Sequence, residues 1–305
     1  MRRALLFAAL LALACGDDGG DGPEAAADSG SGDGGPPDDA GPIADGGALE
    51  DAGPFDDGGA VDAGEEATPT LPPANGSFDY QLGGAYDPPA GVAVVARDRL
   101  AAPAAGVYSI CYVNGFQTQP DEEDFWSGDR ADLLLRDGSG EPVVDPDWDE
   151  ILLDVTTADK RDRLAVLVGG WIDGCADAGF DAVEIDNLDT YARSGGRITE
   201  DDAVAFMALL ATRAHDLGLA IAQKNSAEIL ARQAEMGTDF AVVEECNRYD
   251  ECGDFTAVYG DQVYVIEYRR SDFDAGCAAF PELSIVLRDL DLVVPEQSGY
   301  AYDGC

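Results

Sequence analysis

Carboxylate side chains stand at the ends of short apolar segments in this sequence. Residues 181–186 read DAVEID and residues 240–245 read FAVVEE. Because side chains alternate between the two faces of a strand, Glu184 and Asp186 share one face of the first segment, and Glu244 lies near the end of the second. Two carboxyl groups across a cleft can hydrolyse a glycosidic bond, since one protonates the leaving oxygen while the other attacks or directs water. The pattern therefore indicates acid–base chemistry carried by carboxylates.

Other catalytic chemistries lack the residues that they need. The chain has one histidine, His215, which falls late in a predicted helix and which we expect at the surface. A Ser–His–Asp or Cys–His arrangement is therefore disfavoured, and no GxSxG motif occurs. One histidine and scattered cysteines do not make a zinc site. DPDWDE at 145–150 lacks the sixth-position glycine of a calcium loop, and Thr156 stands where its terminal glutamate should be. We expect no metal and no cofactor.

Short apolar runs alternate with helical stretches along residues 76–305. The candidate strands are FDYQL (78–82), VAVVA (92–96), VYSICYV (107–113), ILLDV (151–155), DAVEID (181–186), AIAQKN (220–225), FAVVEE (240–245), VYVIEY (263–268) and SIVLRD (284–289). This alternation predicts an α/β fold with a parallel sheet buried on both faces. A closed (β/α)8 TIM-like barrel is the first choice at this length, and a doubly wound open sheet is the second. Nine candidates exceed the eight strands of a barrel, and the sequence does not say which one lies outside it.

Two helices have clear ends. The first follows Thr157, shows apolar residues at helical spacing, and stops at Gly179. The second follows Thr199, with Asp202 three places on in the arrangement of a capping box, and stops at Gly218. Each carries an apolar stripe that should pack against the sheet.

Polar side chains gather at the C-terminal ends of five candidate strands, the ends that form the active-site mouth in barrels of this kind. They are Asp154, Asp186, Lys224 with Asn225, Glu244 with Glu245, and Glu267. One such residue alone would be explained by a structural ion pair or a helix cap. Five strands that end alike favour a functional site.

The charge of the chain limits its partners. Its 305 residues include 18 basic and 61 acidic side chains, a net charge of −43. Residues 76–305 hold 16 of the basic and 45 of the acidic side chains. Nucleic acid is disfavoured as a partner because phosphate neutralisation needs a basic surface. A cationic partner suits this charge, although acidity alone also keeps an exported protein soluble and monomeric. We expect a monomer.

The N-terminal residues predict export and a tether. Residues 1–15 read MRRALLFAALLALAC, a charged start, an apolar run too short to span a bilayer, and a cysteine after small residues. This ending resembles the lipobox of bacterial lipoproteins, so Cys15 is the candidate lipid anchor, holding the protein in the cell envelope or at the cell surface. An ordinary secretory signal with release outside the cell is the alternative. Residues 16–75, with 16 acidic and no basic side chains, predict a disordered Gly/Asp/Ala/Pro linker. Residues 76–305 remain as one folded domain.

The cysteine count agrees with export. Without Cys15 an even set of six remains, which suits disulfide formation in an oxidising compartment. Six cysteines leave many pairings open, of which we favour Cys246 with Cys252, Cys277 with Cys305, and Cys111 with Cys175. The first pair would close a short loop just after Glu244.

Four segments in series resemble a known family. GFDAVEIDNLDTY, AIAQKN, FAVVEECNRYDEC and VYVIEY, in this order and spacing, resemble glycoside hydrolase family 114, the endo-α-1,4-polygalactosaminidases. The resemblance covers residues 76–305 and implies a (β/α)8 barrel that cleaves α-1,4-linked galactosamine polymers without a cofactor. It also implies Asp186 as the nucleophile and Glu244 as the acid/base, with Glu245 as the alternative to Glu244.

The remaining residues near these strand ends are candidates for substrate binding. Galactosamine polymers carry amines that are largely protonated near and below neutral pH, so an acidic domain would attract them. We expect Lys224 to hold Asp186 ionised, and Asn187 and Asn225 to bind sugar hydroxyls. Further candidates are Asp154 and Glu267 and the aromatic side chains Tyr112, Trp126, Tyr191, Tyr249 and Tyr268, which could stack on sugar rings. A cell-surface polysaccharide-binding protein without hydrolytic activity is the alternative function.

Overall fold

The structure, a computed structural model, describes residues 68–119, 122 and 124–305. Its β-strands are β1 (Phe78–Gln81), β2 (Val94–Asp98), β3 (Tyr108–Asn114), β4 (Val144–Asp145), β5 (Glu150–Ile151), β6 (Ala182–Asp186), β7 (Ala220–Lys224), β8 (Phe240–Glu244), β9 (Val263–Glu267), β10 (Ser284–Arg288) and β11 (Tyr302–Gly304). Eight of the nine candidate strands of the sequence correspond to strands of one large sheet, which also contains β11.

The large sheet is mostly parallel and nearly closed. Its strand order is β1-β2-β3-β6-β7-β8-β9-β10-β11, and every neighbouring pair is parallel except β10 and β11. The two edges approach each other, since the buried Arg288 of β10 lies 3.2 Å from Asp79 of β1 and donates to the backbone carbonyl of Tyr80. This barrel-like sheet is consistent with a TIM-like fold and differs from an open doubly wound sheet.

The candidate strand at 151–155 lies outside the barrel. β4 and β5 form a separate antiparallel pair in which Ile151 pairs with Val144, and Leu152 and Leu153 make only isolated bridges. Both leucines are fully buried, and they pack against other apolar residues of the same connection between β3 and the following helix, such as Phe116 and Leu133. A short buried run has the same composition in either setting, and periodicity does not separate the two.

The helices lie between the later strands. They are α1 (Ala158–Ala178), α2 (Thr190–Arg193), α3 (Glu200–Asp216), α4 (Gln233–Met236), α5 (Cys246–Tyr249), α6 (Cys252–Tyr259) and α7 (Arg270–Ala279), with 3-10 helices at Gly128–Leu133 and Ala227–Arg232. The two predicted helices are confirmed as α1 and α3. Thr157 caps the first, and Thr199 forms the predicted capping box with Asp202 on the second. Residues 82–107, all of them described, contain no helix, so loops make the first two strand-to-strand connections.

Alternation along the strands divides the core into an inner and an outer layer. Inside the barrel, aromatic side chains such as Tyr80 meet small ones such as Ala182 and Ala222. The opposite faces of the strands pack against the helices. Because Ala182 and Ala222 face inward, Glu184 and Lys224, two residues further along their strands, face inward as well.

Glu267, expected at the site, lies on the outer face instead. Tyr264 and Ile266 of β9 point into the barrel, so alternation directs Glu267 toward the helices, where it is fully buried. Its Oε1 accepts the backbone N–H of Asn247 in α5 at 2.9 Å, while its Oε2 has no hydrogen-bond partner among the described residues. Burial is the main reason that the pKa of Glu267 is raised to about 7.

The described residues contain three disulfide bonds, and they are the pairs favoured from the sequence: Cys111–Cys175, Cys246–Cys252 and Cys277–Cys305. Such bonds are typical of proteins that fold in an oxidising compartment, and they suggest secretion. Within the described part of the chain, no helix is both long and apolar enough to cross a membrane. The expected signal peptide, Cys15 and most of the expected linker lie outside the described residues.

The last residues of the expected linker contact the barrel. The backbone carbonyl of Thr70 accepts a hydrogen bond from the Tyr108 hydroxyl at 2.7 Å, and that of Pro73 accepts one from the Tyr264 hydroxyl at 2.8 Å. These contacts fix residues just before β1 against the N-terminal ends of β3 and β9.

The substitution Glu267→Gln should change how stability depends on pH. A folded-state pKa raised above the unfolded value makes the carboxyl favourable below about pH 4.5 and progressively unfavourable as pH rises through about 7. Relative to the wild type, the variant should therefore gain on the order of 2–3 kcal/mol in free energy of unfolding between pH 4 and pH 9. Denaturant titrations at several pH values measure this difference.

The exposed Glu282 provides the matched control for this experiment. Glu282→Gln should differ from the wild type by a nearly constant free energy across the same pH range, because this side chain is exposed to solvent in the folded protein. A constant difference for Glu267→Gln would contradict the assignment of a raised pKa to this group.

Candidate active site

The inward-facing Lys224, at the end of β7, lies among three carboxyl groups. Its side chain is 2% exposed, and its Nζ lies 2.9 Å from Glu184, 3.2 Å from Asp186 and 3.4 Å from Glu244. The Tyr80 hydroxyl is a fourth neighbour at 3.0 Å. Asp186 and Glu244 end β6 and β8, the strands on either side of β7. Three adjacent strand ends therefore build the cluster.

The charges in this cluster control the protonation of its members. Burial by itself would lower the pKa of Lys224, but the three carboxylates outweigh it and raise that pKa well above its usual value. Burial raises the pKa of Glu184, although Lys224 opposes this. Burial acts in the same direction on Asp186, yet Lys224 and the hydrogen bond from Tyr112 outweigh it and lower the pKa of Asp186. Asp186 is therefore held in its ionised form.

Asp186 has hydrogen-bond donors on both side-chain oxygens. The Tyr112 hydroxyl donates to Oδ2 at 2.6 Å, and Lys224 donates to Oδ1 at 3.2 Å. The nearby backbone N–H of Asn187 also contributes to the lowered pKa of Asp186. The Asp186 side chain is still 19% exposed. An ionised carboxylate with a fixed orientation and an open side can act as a nucleophile.

Glu244 is held by the residues that directly follow β7 and β9. The Asn225 side chain donates to Oε2 at 3.2 Å and accepts the backbone N–H of Glu244 at 2.8 Å. The Tyr268 hydroxyl donates to Oε1. The Glu244 side chain is 30% exposed, so it can reach a solvent-borne molecule while its position stays fixed.

Asp186 and Glu244 share one opening. The Lys224 nitrogen contacts Oδ1 of the first and Oε2 of the second, so these oxygens lie no further apart than the sum of the two distances, about 6.6 Å. Glu184 is 0% exposed. The cluster thus has a buried floor of Glu184 and Lys224 and two carboxylates that face solvent.

The chain turns sharply after each of these three strands. Asn187, Asn225 and Glu245 have positive φ angles of 65°, 46° and 55°. This left-handed region is one that asparagine adopts more readily than most other residues. In each of the pairs Asp186-Asn187 and Lys224-Asn225, the first residue therefore belongs to the charged cluster and the second forms the turn after the strand.

The side chain of Asn187, an expected sugar contact, makes hydrogen bonds within the protein. Its side-chain Nδ2 donates to Asn114 at 2.9 Å, and its Oδ1 accepts from Arg193 at 3.1 Å. Arg193 also pairs with Asp189 at 2.7 Å and Asp145 at 2.9 Å. Asn187 thus joins β3 to the loop that leads into α2.

Asp154 and Tyr191 are not brought into the cluster by the contacts of the structure. Asp154 accepts from the Thr156 hydroxyl at 2.6 Å and pairs with Lys160, so it organises the start of α1. The Tyr191 hydroxyl is buried in α2, beside Glu228 and Asp189, and burial raises its pKa. Both residues were expected at the substrate, and both serve neighbouring loops.

Glu245, the alternative to Glu244, points elsewhere. Its side chain is 3% exposed and pairs with Arg248. Because Glu245 follows the last residue of β8, alternation and its left-handed backbone turn it away from Lys224. Of the two consecutive glutamates, Glu244 is the one that faces Asp186.

Four residues of the site were not selected from the sequence. Strand alternation placed Glu184 on the correct face, but no sequence pattern identifies a residue as the buried counterion of a lysine. Tyr80 of β1 reaches Glu184 at 2.8 Å. Asn114 ends β3 beside Asp186 in the ladder and donates to Glu150 at 3.0 Å. Glu150 comes from the irregular connection after β3, where no periodicity indicates which side chains face the barrel.

The donor set of the cluster suits proton transfer and nucleophilic attack. It offers one carboxylate held ionised and a second carboxylate with an oxygen at most about 6.6 Å from the first. Tyrosine and amide donors surround both carboxylates. The sulfurs of Cys246 and Cys252 approach Glu267 closely enough to resemble a metal site. These two cysteines are joined in a disulfide, however, so they offer no thiolates.

Solved structures of other proteins share this fold. The crystal structure of Ega3 from Aspergillus fumigatus in complex with galactosamine has a TM-score of 0.62 and 22% identity, over 78% of this chain and 98% of that chain. The glycoside hydrolase domain of PelA from Pseudomonas aeruginosa has a TM-score of 0.50 and 14% identity, over 72% of this chain and 96% of that one. A variant of that domain gives 0.52 and 15% over the same shares. No curated protein sequence matches the chain.

A family model covers most of the chain. The model described as glycoside-hydrolase family GH114 matches residues 59–305. This range contains every strand and helix given above, and it contains both solvent-facing carboxylates of the Lys224 cluster. The chain belongs to glycoside-hydrolase family GH114.

Proposed function

We propose that this protein is an endo-acting glycoside hydrolase that cleaves α-1,4-linked galactosamine-containing polysaccharide. One observation carries the proposal: Asp186 and Glu244, at the ends of the strands on either side of β7, both contact Lys224 and both remain open to solvent. Glycosidases need two carboxyl groups at such a separation across the scissile bond. Membership of a glycoside-hydrolase family supports this use of the pair.

Asp186 is the nucleophile in this proposal, and Glu244 is the acid/base. The Asp186 carboxylate attacks the anomeric carbon while Glu244 protonates the leaving glycosidic oxygen, so one C–O bond forms as another breaks. The product is a covalent glycosyl-enzyme ester at Asp186. Glu244, now ionised, then takes a proton from water, which attacks the same carbon and releases Asp186.

The contacts of the two side chains support this division of roles. Lys224 and Tyr112 lower the pKa of Asp186, which favours the ionised form that a nucleophile needs. The Lys224 contact of Glu244 is longer, at 3.4 Å, and its side chain is more exposed, at 30%, so this group can reach the leaving oxygen and the attacking water. Tyr268 and Asn225 fix the direction in which its carboxyl group faces.

The charge of the chain supports a cationic substrate. Residues 76–305 carry 29 more acidic than basic side chains, counting 45 of the former and 16 of the latter. A field of this sign raises the local concentration of a polycation such as a deacetylated galactosamine polymer. Ega3, which shares the fold, was crystallised in complex with galactosamine, and that observation on Ega3 makes the same sugar the first substrate to test here.

We further propose that the protein acts outside the cytoplasm as a monomer, with a lipid on Cys15 as its only link to a membrane. The three disulfide bonds support export, and the cysteine after small residues supports the lipid anchor. Mass spectrometry of the mature N-terminus tests the anchor, because an unmodified N-terminus would exclude it.

Substitution of either carboxylate should abolish hydrolysis. We expect Asp186→Asn and Glu244→Gln each to lower kcat on a deacetylated galactosamine polymer by about a thousandfold or more, because each removes a group that makes or breaks a bond. Release of short oligosaccharides by the purified protein, followed by mass spectrometry, measures this loss.

Asp261, exposed just before β9 at the opposite end of the barrel, offers the matched control. Asp261→Asn removes the same charge and should leave turnover unchanged. A wild-type protein that binds the polymer but releases no oligosaccharide would instead identify a polysaccharide-binding protein. Turnover retained by both active-site variants would contradict the assignment of the pair.

Hydrolysis should proceed with retention of anomeric configuration. The oxygens of Asp186 and Glu244 that face Lys224 lie at most about 6.6 Å apart, and the proposed attack by Asp186 itself requires a double displacement at the anomeric carbon. Retaining glycosidases have carboxyl groups about 5–5.5 Å apart, and inverting ones about 6.5–9.5 Å. Proton NMR during the first minutes of hydrolysis should show the α-anomer of the new reducing end first, and initial appearance of the β-anomer would contradict this mechanism.

A further inference from the structure

The segment DPDWDE, residues 145–150, has no part in the mechanism above. It forms the turn and the adjoining strand residues of the β4–β5 hairpin, in the connection that follows β3. Trp148 in this turn is 63% exposed. Tryptophan buries a large area when it is covered, so this ring is available to a ligand that lies against the turn.

The base of the hairpin is attached to residues that flank Asp186. Oε2 of Glu150 accepts a hydrogen bond from Asn114 at 3.0 Å, and Asn114 pairs with Asp186 in the β3–β6 ladder. Asp145 lies 2.9 Å from Arg193, and Arg193 also donates to Asn187, which directly follows Asp186. The base of the hairpin therefore lies beside the end of β6, where Asp186 stands.

The turn that carries Trp148 is held by its own hydrogen bonds. Oδ1 of Asp145 accepts the backbone N–H of Asp147 at 3.0 Å, and the carbonyl of Asp145 accepts that of Asp149 at 2.9 Å. Asp145 itself is 1% exposed and also accepts from Gln117 at 3.0 Å. A fixed turn presents its aromatic ring with little loss of conformational entropy on binding.

Glu150 retains an unused acceptor in a negative environment. Its Oε2 binds Asn114, while its Oε1 accepts no hydrogen bond from the described residues. Burial is the main reason that the pKa of Glu150 is raised to about 7; Asp186 and Asp145 add to the rise, and Asn114 and Arg193 oppose it. A cation placed at Oε1 would relieve the repulsion between these carboxylates.

We propose that the β4–β5 hairpin is an accessory subsite for one amino-sugar unit of the polymer, in which Trp148 stacks on the sugar ring and Glu150 accepts its ammonium group. The two residues are two positions apart, so their Cα atoms are at most about 7 Å apart, which is the scale of one sugar unit. The inference rests on the proposed function and adds to it a determinant of specificity for free amines over acetamides.

Binding measurements in the Glu244→Gln background test this subsite without turnover. The probes are galactosamine oligomers and N-acetylgalactosamine oligomers of equal length, titrated calorimetrically at pH 7. Trp148→Ala should weaken both probes about tenfold, since stacking does not depend on the amine. Glu150→Gln should weaken the free-amine oligomers about tenfold and the acetylated ones less than twofold, because only the former present a cation.

Two exposed side chains far from the opening provide the controls. Val166→Ala on α1 removes an apolar group that is 76% exposed, and Glu282→Gln, before β10, removes an exposed charge. Neither should change the affinity for either probe by more than twofold.

The outcomes separate this inference from the proposed function. Unchanged affinity in Trp148→Ala and Glu150→Gln, equal weakening of both probes by Glu150→Gln, or no binding at all would each overturn the subsite. If the wild type cleaves the polymer while these variants bind normally, the proposed function stands and the subsite falls. If the wild type fails to cleave but binding depends on both residues as described, the subsite stands and the hydrolase proposal falls.

Discussion

The structure depends on one buried ammonium group that serves three carboxylates. Lys224 is almost completely enclosed, and its charge is compatible with that position only because Glu184, Asp186 and Glu244 surround it. Loss of one member of a buried charge cluster leaves the others uncompensated and typically costs about 3–5 kcal/mol. Glu184 has a structural role as a buried counterion of Lys224, since it is fully enclosed and also accepts a hydrogen bond from Tyr80. The two outer carboxylates are thereby left partly open and firmly oriented.

Strand alternation explains why so much of the site could be predicted. Asp186, Lys224 and Glu244 each follow an inward-facing residue by two positions, and each ends a strand of the parallel sheet. Alternation and the common rim of parallel strands therefore place them together without knowledge of any contact. The helices α1 and α3 could be predicted equally well, because the capping threonines and terminal glycines that define their ends act through local contacts.

Other parts of the molecule depend on contacts that sequence patterns do not record. The run 151–155 has the composition of a barrel strand, but it is a buried part of the connection after β3. Glu267 lies one residue out of phase with the inward-facing Ile266, so a small error in phase assigned it to the wrong face. Glu150 reaches the site through a hairpin whose position is decided by Asn114, Gln117 and Arg193, all distant in sequence.

The seam between the first and last parallel strands has a consequence for how the barrel assembles. Arg288 and Asp79 meet across a sequence separation of 209 residues, so the cylinder remains an open, curled ribbon until nearly all of the chain has emerged from the ribosome or the translocation pore. Pairings of such long range slow folding. Until then the edge strands of that ribbon are exposed and can pair with other chains. Chaperones that bind the unclosed sheet would therefore be needed most before this last step.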